Sequence, residues 1–338
     1  MKVAAPRPQV SIGMPLYNSE RYLAEALDSL LAQDHRDFEL IISDNGSTDA
    51  TESICRDYAA RDTRISYHRT ENNLGAVWNF NRVFELANGD YFMWAAHDDV
   101  RAPGCVSRSL AALEARPEAV LCCTGVRFVD EAGRETEPWF DLIPAVGKTY
   151  SARVGAIARA RYWLDFYGLI RAKALKQTRL AMPIWGFDVV LGMELCLGGD
   201  VLFIPERLFS YRIFRRKTID NVASTLGPAG GAGPVPANWS AMTLELARGI
   251  WHSPLNPVHR AALIVELVFE ICVFNGLVGM GIRKDVGMNL GAALKERRFG
   301  RFAALIAMAA LVFPVQNRLV RGGYRLVRPR KRTPQTPV

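Results

Sequence analysis

The chain has 338 residues, 49% hydrophobic and 22% charged, with 42 basic and 34 acidic side chains for a formal net charge of +8. That is an ordinary globular composition, long enough to bury a substantial core, and it excludes a disordered, collagen-like or disulfide-framework chain. The charge is unevenly spread: residues 297–338 hold ten Arg and Lys and no acid, which leaves 32 basic against 34 acidic side chains in the remainder.

In chain order, residues 10–14 read as a strand and 19–32 as a helix, with Leu23, Ala26, Leu27, Leu30 and Leu31 on one face and Asn18 or Ser19 as its cap. Residues 38–43 form a second, mostly apolar strand, the pattern of a strand buried on both faces. A helix over 49–60 follows, capped from Ser47, Thr48 or Asp49, then a strand over 64–68, a helix over 77–87 and a strand over 91–95. Pro103 opens a helix that ends near Arg116, before a fifth strand over 120–128. This alternation predicts an α/β fold with a doubly wound parallel sheet, whose ligands gather at the carboxyl ends of the strands.

The middle is less regular. Residues 152–161, 171–177 and 187–197 read as helices, and 201–204 and 208–213 as short strands. Seven of the ten residues 227–236 are Gly or Pro, which marks a loop or hinge. Beyond it the pattern turns helical, with apolar stretches at 261–282 and 303–315. The expected organisation is a catalytic domain over 1–225, a loop over 226–236 and a helical region with a cationic tail over 237–338. The six cysteines (Cys55, Cys105, Cys122, Cys123, Cys196 and Cys272) form no C-x-x-C pair. They read as buried free thiols, which suits a reducing compartment. No apolar segment precedes Pro6 and Pro8, so no secretory signal is expected.

Four polar loops follow four strands: Pro15-Leu16-Tyr17-Asn18, Asp44 to Asp49, Asn72-Asn73-Leu74-Gly75, and His97-Asp98-Asp99. Singly, the second and third are ordinary turn sequences. Asp98-Asp99 is different. Adjacent carboxylates after so apolar a strand repel unless a cation or donors compensate, and a hard divalent cation takes one or two carboxylates together with substrate phosphates.

With their order and spacing, the segments VSIGMPLYNSERYLAEALDSLLAQ, FELIISDNGSTDAT, NNLGAVWNFN and AHDD resemble the nucleotide-sugar-binding half of a family 2 glycosyltransferase, a GT-A fold. The likeness is strong over about the first hundred residues and weaker through Gly186-Phe187-Asp188 and LFSYRIF at 208–214. It implies an inverting, nucleotide-sugar-dependent enzyme. Tyr17, beside Pro15 and Asn18, would stack on the base. Asp44 would accept a hydrogen bond from it, favouring uracil and hence a UDP-sugar. Asn73 and Gly75 would line the nucleotide-sugar pocket. Asp98 would meet the ribose or the metal, and Asp99 would ligate Mn2+ or Mg2+. Apart from the resemblance, the basic cluster Arg212, Arg215, Arg216 and Lys217 reads either as help for the phosphates or as a solvated basic turn. Asp188 matches the catalytic base, with a helix cap as the plain alternative; Glu194 on the same helix is the weaker candidate. His97 stands where the family commonly has an acid, and Phe214 where it often has a histidine, which implies a cation held mainly together with substrate.

The tail adds an expectation about place. Residues 303–315 are too few for the ~20 that a spanning helix needs, and Glu266 and Glu270 sit one turn apart within 261–282, so an amphipathic helix fits better. Arg318, Arg321, Arg325 and Arg328 recur at helical spacing; each basic residue near an anionic leaflet contributes ~1 kcal/mol. The expected location is the cytoplasmic face of the inner (plasma) membrane, peripherally bound, with a lipid-linked or surface-glycan acceptor. Other classes fit less well. The tail has few aromatics to stack on nucleic acid, and no G-x-G-x-x-G follows the first strand as a dinucleotide-dependent oxidoreductase requires. A catalytically inactive sugar-nucleotide-binding homologue is the remaining alternative.

Overall fold

The computed structural model describes residues 7–137, 149–159, 164–214 and 239–273. The Gly/Pro-rich stretch at 227–236, the apolar stretch at 303–315 and the cationic tail lie outside these. The first half contains β1 (Val10–Leu16), α1 (Glu20–Leu31), β2 (Phe38–Asp44), α2 (Thr51–Arg61), β3 (Ile65–Arg69), α3 (Ala76–Glu85), β4 (Tyr91–Trp94), β5 (Val100–Arg101), α4 (Cys105–Glu114) and β6 (Ala119–Val129). There follow α5 (Tyr150–Arg159), a 3-10 turn at Leu164–Tyr167, β7 (Leu169–Arg171), α6 (Ala172–Leu175), α7 (Phe187–Gly198), β8 (Asp200–Arg212), α8 (Trp239–His252) and α9 (Pro257–Val273).

Among the described residues the eight strands lie in one sheet of order β3-β2-β1-β4-β7-β6-β8-β5. The expected parallel block is present: β2 pairs with β3 and β1, and β1 with β4, all parallel. The sheet is nonetheless mixed. β7 runs antiparallel to both β4 and β6, β8 is parallel to β6, and β5 is antiparallel to β8. Residues 171–177, expected as a helix, instead supply the end of β7 and the single turn of α6. A three-residue strand is too short to show a period of two, and only its neighbours hold it extended. The two short strands expected at 201–204 and 208–213 are one strand, β8, whose pairing with β6 shifts register around Gly125. A Cβ at Gly125 would lie 2.5 Å from the Pro205 carbonyl oxygen, so the irregularity requires glycine there.

Alternation along β1 sorts the two faces of the sheet. Val10, Ile12, Met14 and Leu16 join Leu23, Leu27 and Leu30 of α1 and Val106, Leu110 and Leu113 of α4 in one buried layer. The other layer packs Ile41, Phe92 and Trp94 beneath Val83 and Phe84 of α3 and Val190, Met193 and Leu197 of α7. Trp94 is fully buried, stacks on Phe166 with centroids 4.4 Å apart, and donates its indole N–H to the Phe80 carbonyl at 3.1 Å. Burial of each such side chain contributes about 1.5–3 kcal/mol. α8 and α9 extend this second layer through Met242, Leu246, Ile250, Leu263, Leu267 and Ile271. The described part of the apolar stretch that begins at residue 261 therefore packs on the sheet domain. Among the described residues, no helix is long and apolar enough to cross a membrane.

Candidate active site

The loops after β1 and β2 are fastened to each other as well as capped locally, Thr51 N–H donating to Asp49 Oδ1 at 3.0 Å. Asn18 takes a left-handed conformation (φ 49°). Its backbone N–H donates to Ser47 Oγ at 2.9 Å, and its Oδ1 accepts from the Thr48 N–H at 2.8 Å. Ser19 N–H donates to Thr51 Oγ1 at 2.7 Å. Glu20 N–H donates to Asp49 Oδ2 at 3.1 Å, and Ala50 N–H returns a bond to Glu20 Oε2 at 2.9 Å. Each of the first two helices thus has one or two N–H groups at its start met from the other's side. Tyr17 stays 44% exposed on this clamp, and an exposed ring on a rigid support suits base stacking.

Asp44 and Asn73 arrive at the same edge, but their polar atoms are engaged by the chain. Asp44 is fully buried; it accepts from the Ser47 N–H at 2.9 Å, the Tyr67 hydroxyl at 2.8 Å and the Arg69 guanidinium. Burial, followed by Asp44, pushes the Tyr67 phenol well above its usual value. Asn73 Oδ1 accepts from Asn45 Nδ2 and from the Gly75 N–H, both at 2.8 Å. Gly75, at φ 92°, is the N-cap of α3. The sequence reading missed Asn45, Tyr67, Arg69 and Asn79. Asn79 projects from α3 to donate to the Leu16 and Ser43 carbonyls at 3.1 and 2.9 Å, joining the ends of β1 and β2. The asparagine-rich run 72–81 was its visible signal, but helical spacing alone does not say that Asn79 faces the sheet.

Asp98 and Asp99 are 8% and 5% exposed, in the link between β4 and β5. Arg212, expected at the phosphates, is placed elsewhere. It is 3% exposed, and its guanidinium donates to the Asp98 carbonyl (2.9 Å), the Asp130 carbonyl (3.2 Å) and Glu25 (2.7 Å) while lying 4.2 Å over the Tyr22 ring. Its backbone N–H donates to Asp99 Oδ1 at 2.9 Å. Arg212 is therefore a strut that sets the carboxylate pair. The pairing of Val100 and Arg101 with Ser210 and Phe209 delivers it there. Phe214 packs edge-on to Tyr22 at 5.9 Å.

Asp188 lies in the first turn of α7, behind Gly186, which caps the helix at φ 73°. The Asp188 carboxyl is only partly exposed. Burial pushes it up to about 6, against the pull of its own and the Val189 backbone N–H groups. Asp188 thus combines a place at the helix start, bonded to its N–H groups, with a carboxyl raised towards neutrality. Glu194 is held by the Arg179 side chain and N–H, in a network that includes Glu245. Tyr167, which no motif announced, connects the two halves. Burial first, then the charges of Asp99, Tyr211, Asp98 and Asp188, hold its phenol well above the usual value. Asp99, Asp98 and Asp188 thus all act electrostatically on one buried phenol.

Among the described residues no group of three or more His, Cys, Asp or Glu could hold a metal ion. Two adjacent carboxylates nevertheless fit an oxygen-seeking divalent cation that completes its shell with phosphate oxygens.

Residues 11–175 match the family model described as "Glycosyl transferase family 2". The protein named "Putative glycosyltransferase EpsE" of Bacillus subtilis is 35% identical over 127 residues, 37% of this chain and 46% of that protein. The chain spans about half the length of the curated relatives it matches. Among solved structures, S. aureus TarS 1-349 in complex with UDP-GlcNAc aligns at a TM-score of 0.64 and 18% identity, covering 94% of this chain and 91% of that one. The mannosyltransferase PcManGT of Pyrobaculum calidifontis, in complex with GDP-Man and Mn2+, aligns at 0.52 and 16%, covering 90% and 87%. At these identities the likeness is one of fold: α/β, with a mostly parallel, curled sheet.

The strut role of Arg212 has a direct test. Arg212→Met leaves buried carbonyls of Asp98 and Asp130 unpaired, at about 1–3 kcal/mol for each group. Urea denaturation should show a loss of roughly 3 kcal/mol, with unchanged stability contradicting the assignment.

Proposed function

Residues 11–175 being a domain of glycosyltransferase family 2, we propose that the chain is an inverting glycosyltransferase that moves a sugar from a UDP-sugar to an acceptor hydroxyl. The reading is supported by Asp98 and Asp99 in the link between β4 and β5 and by Asp188 at the start of α7, all three acting on the Tyr167 phenol. Tyr17, with Pro15 and Asn18, provides the face for the base, and Asn73 and Gly75 line the pocket. Asp44, fully buried, acts through the Tyr67 hydroxyl and the Arg69 guanidinium that it holds. The fold shared with a protein solved with UDP-GlcNAc supports a uridine nucleotide.

Displacement at the anomeric carbon needs a proton removed from the acceptor and charge stabilised on the departing diphosphate. Asp188, partly desolvated and ionised above about pH 6, accepts the acceptor proton. Asp99, with Asp98, would hold Mn2+ or Mg2+, which when bound supplies Lewis-acid neutralisation of the diphosphate. Arg212 keeps both carboxylates in place. One base and one site for the leaving group make a single displacement, which inverts the anomeric centre. A lipid-linked or surface-glycan acceptor, and peripheral attachment to the cytoplasmic face of the inner membrane, are supported by the ten basic residues of the tail.

Hydrolysis of a panel of UDP-sugars with Mn2+ or Mg2+ tests the donor assignment. Wild-type protein should show metal-dependent turnover, and Asp99→Ala should lose it. No turnover with any donor favours the inactive homologue.

The base is tested by pH. Below about pH 6 the Asp188 carboxyl is protonated, so kcat/KM for transfer should fall about tenfold per pH unit. Asp188→Asn should lose ~10²–10⁴ in transfer while still binding donor. Because burial raises this carboxyl, its ionised form weakens the fold above its ordinary value of 3.8. The same variant should therefore melt higher than wild type at pH 7, and the difference should vanish below pH ~4. Near-normal transfer by Asp188→Asn would remove Asp188 from the mechanism.

Deleting residues 300–338 should release the protein from membranes of anionic lipid. Unchanged fractionation would refute the tail's role.

A further inference from the structure

A cavity of about 300 Å3 is bounded by α4, β5, β6, β7, β8 and the 3-10 turn at Leu164–Tyr167. None of the nucleotide- or metal-site residues lines it. Its walls are apolar at Met93, Leu169 and Phe209, Phe203 is 38% exposed beside it, and Ser109 and Thr124 add hydroxyls. Its cationic lining residue is Arg101, itself 5% exposed.

A buried guanidinium is costly unless its charge is met. Here the Arg101 Cζ lies 3.7 Å from the centre of the Phe209 ring, and Nη2 donates to the Tyr167 carbonyl at 3.0 Å. Neither contact carries a negative charge. Among the described residues no carboxylate forms an ion pair with Arg101, unlike Arg212 with Glu25 or Arg153 with Asp200. Of the five N–H donors that a guanidinium presents in a fixed fork, one is used within the described chain. The fork matches a carboxylate, which would bring both the missing charge and two acceptors. Asp165 also lines the cavity, so a doubly charged head such as a phosphate ester is opposed more strongly there than a single carboxylate.

We propose that this cavity is a ligand site, separate from the sugar-nucleotide site, for a small monocarboxylate with an apolar body, its head on Arg101 and its chain along Met93, Leu169 and Phe209. The volume is at the lower end of the ~300–1,000 Å3 of small-molecule sites. The site shares Tyr167 with the catalytic carboxylates.

The test is calorimetric titration of the full chain with octanoate, octanol and octyl phosphate, with no sugar donor present, so that it stands independently of the transferase reading. Octanoate should bind saturably, and octanol and the more highly charged octyl phosphate at least tenfold more weakly. Arg101→Gln should lose at least tenfold in octanoate affinity. Should that variant not fold, Val126→Trp, which fills the cavity from β6, should abolish octanoate binding. Absence of saturable binding, equal binding of octanol, tighter binding of octyl phosphate, or undiminished binding in either folded variant would each overturn the proposal. If neither variant folds, the comparison of octanoate with octanol in the wild type decides.

Discussion

Five residues separate β4 from β5, yet three strands stand between them in the sheet. Four strand spacings of ~4.8 Å come to about 19 Å across a flat sheet. A link of five residues reaches that only if almost fully extended, and this one turns at His97-Asp98. The sheet must therefore curl until the β5 edge returns towards β4. That closure places Asp98 and Asp99 at the inner rim, and the antiparallel pairing of β5 with β8 sets Arg212 against them. The carboxylate pair and its strut are consequences of one short connection in a curled sheet.

The same economy governs the other loops. Glu20 and Asp49 exchange bonds between two loops, Asn79 joins two strand ends, and Asn45 with Asn73 ties the third loop to the second. Buried hydrogen bonds of this kind contribute only about 1 kcal/mol each to stability. Their larger effect is to hold the loops in one arrangement before a ligand arrives, which lowers the ordering cost of binding. Asp188 is prepared differently. α7 is apolar around its circumference and is pressed between α5 and α8, so the carboxyl in its first turn is kept from water and its affinity for a proton rises. At Gly186 a side chain would collide with Met242 of α8. The C-terminal helices thus take part in fixing the approach to Asp188.

Much of this was legible in the residues. Runs such as 38–43 and 91–95 are apolar and short, and the helices between them carry a clear stripe, so the β1–β4 block and α1 to α4 could be read to within a few residues. The loops of the site could be found because a parallel sheet sends all its strand ends to one edge. Less legible were elements whose conformation is imposed by partners: β5 and β7, at two and three residues, have no period of their own, and β8 reads as two strands because Pro205 and Glu206 break its alternation. The functions of single polar residues were harder still. Arg212 was expected at phosphates and is a buried strut; Asp44 was expected as an open acceptor and has three donors from the chain; Tyr167 and Arg101 belonged to no motif.

By itself the sequence determined the alternation of strands and helices, the edge where the polar loops gather, the carboxylate pair and the separation of a cationic end from a slightly acidic body. These follow from local periodicity, chain direction and composition, which need no knowledge of distant contacts. Only the tertiary structure decided which arginines are struts and which one lines a cavity. Those outcomes depend on desolvation and on hydrogen bonds between residues as far apart as Glu25 and Arg212, and such pairings exist only once the sheet has curled.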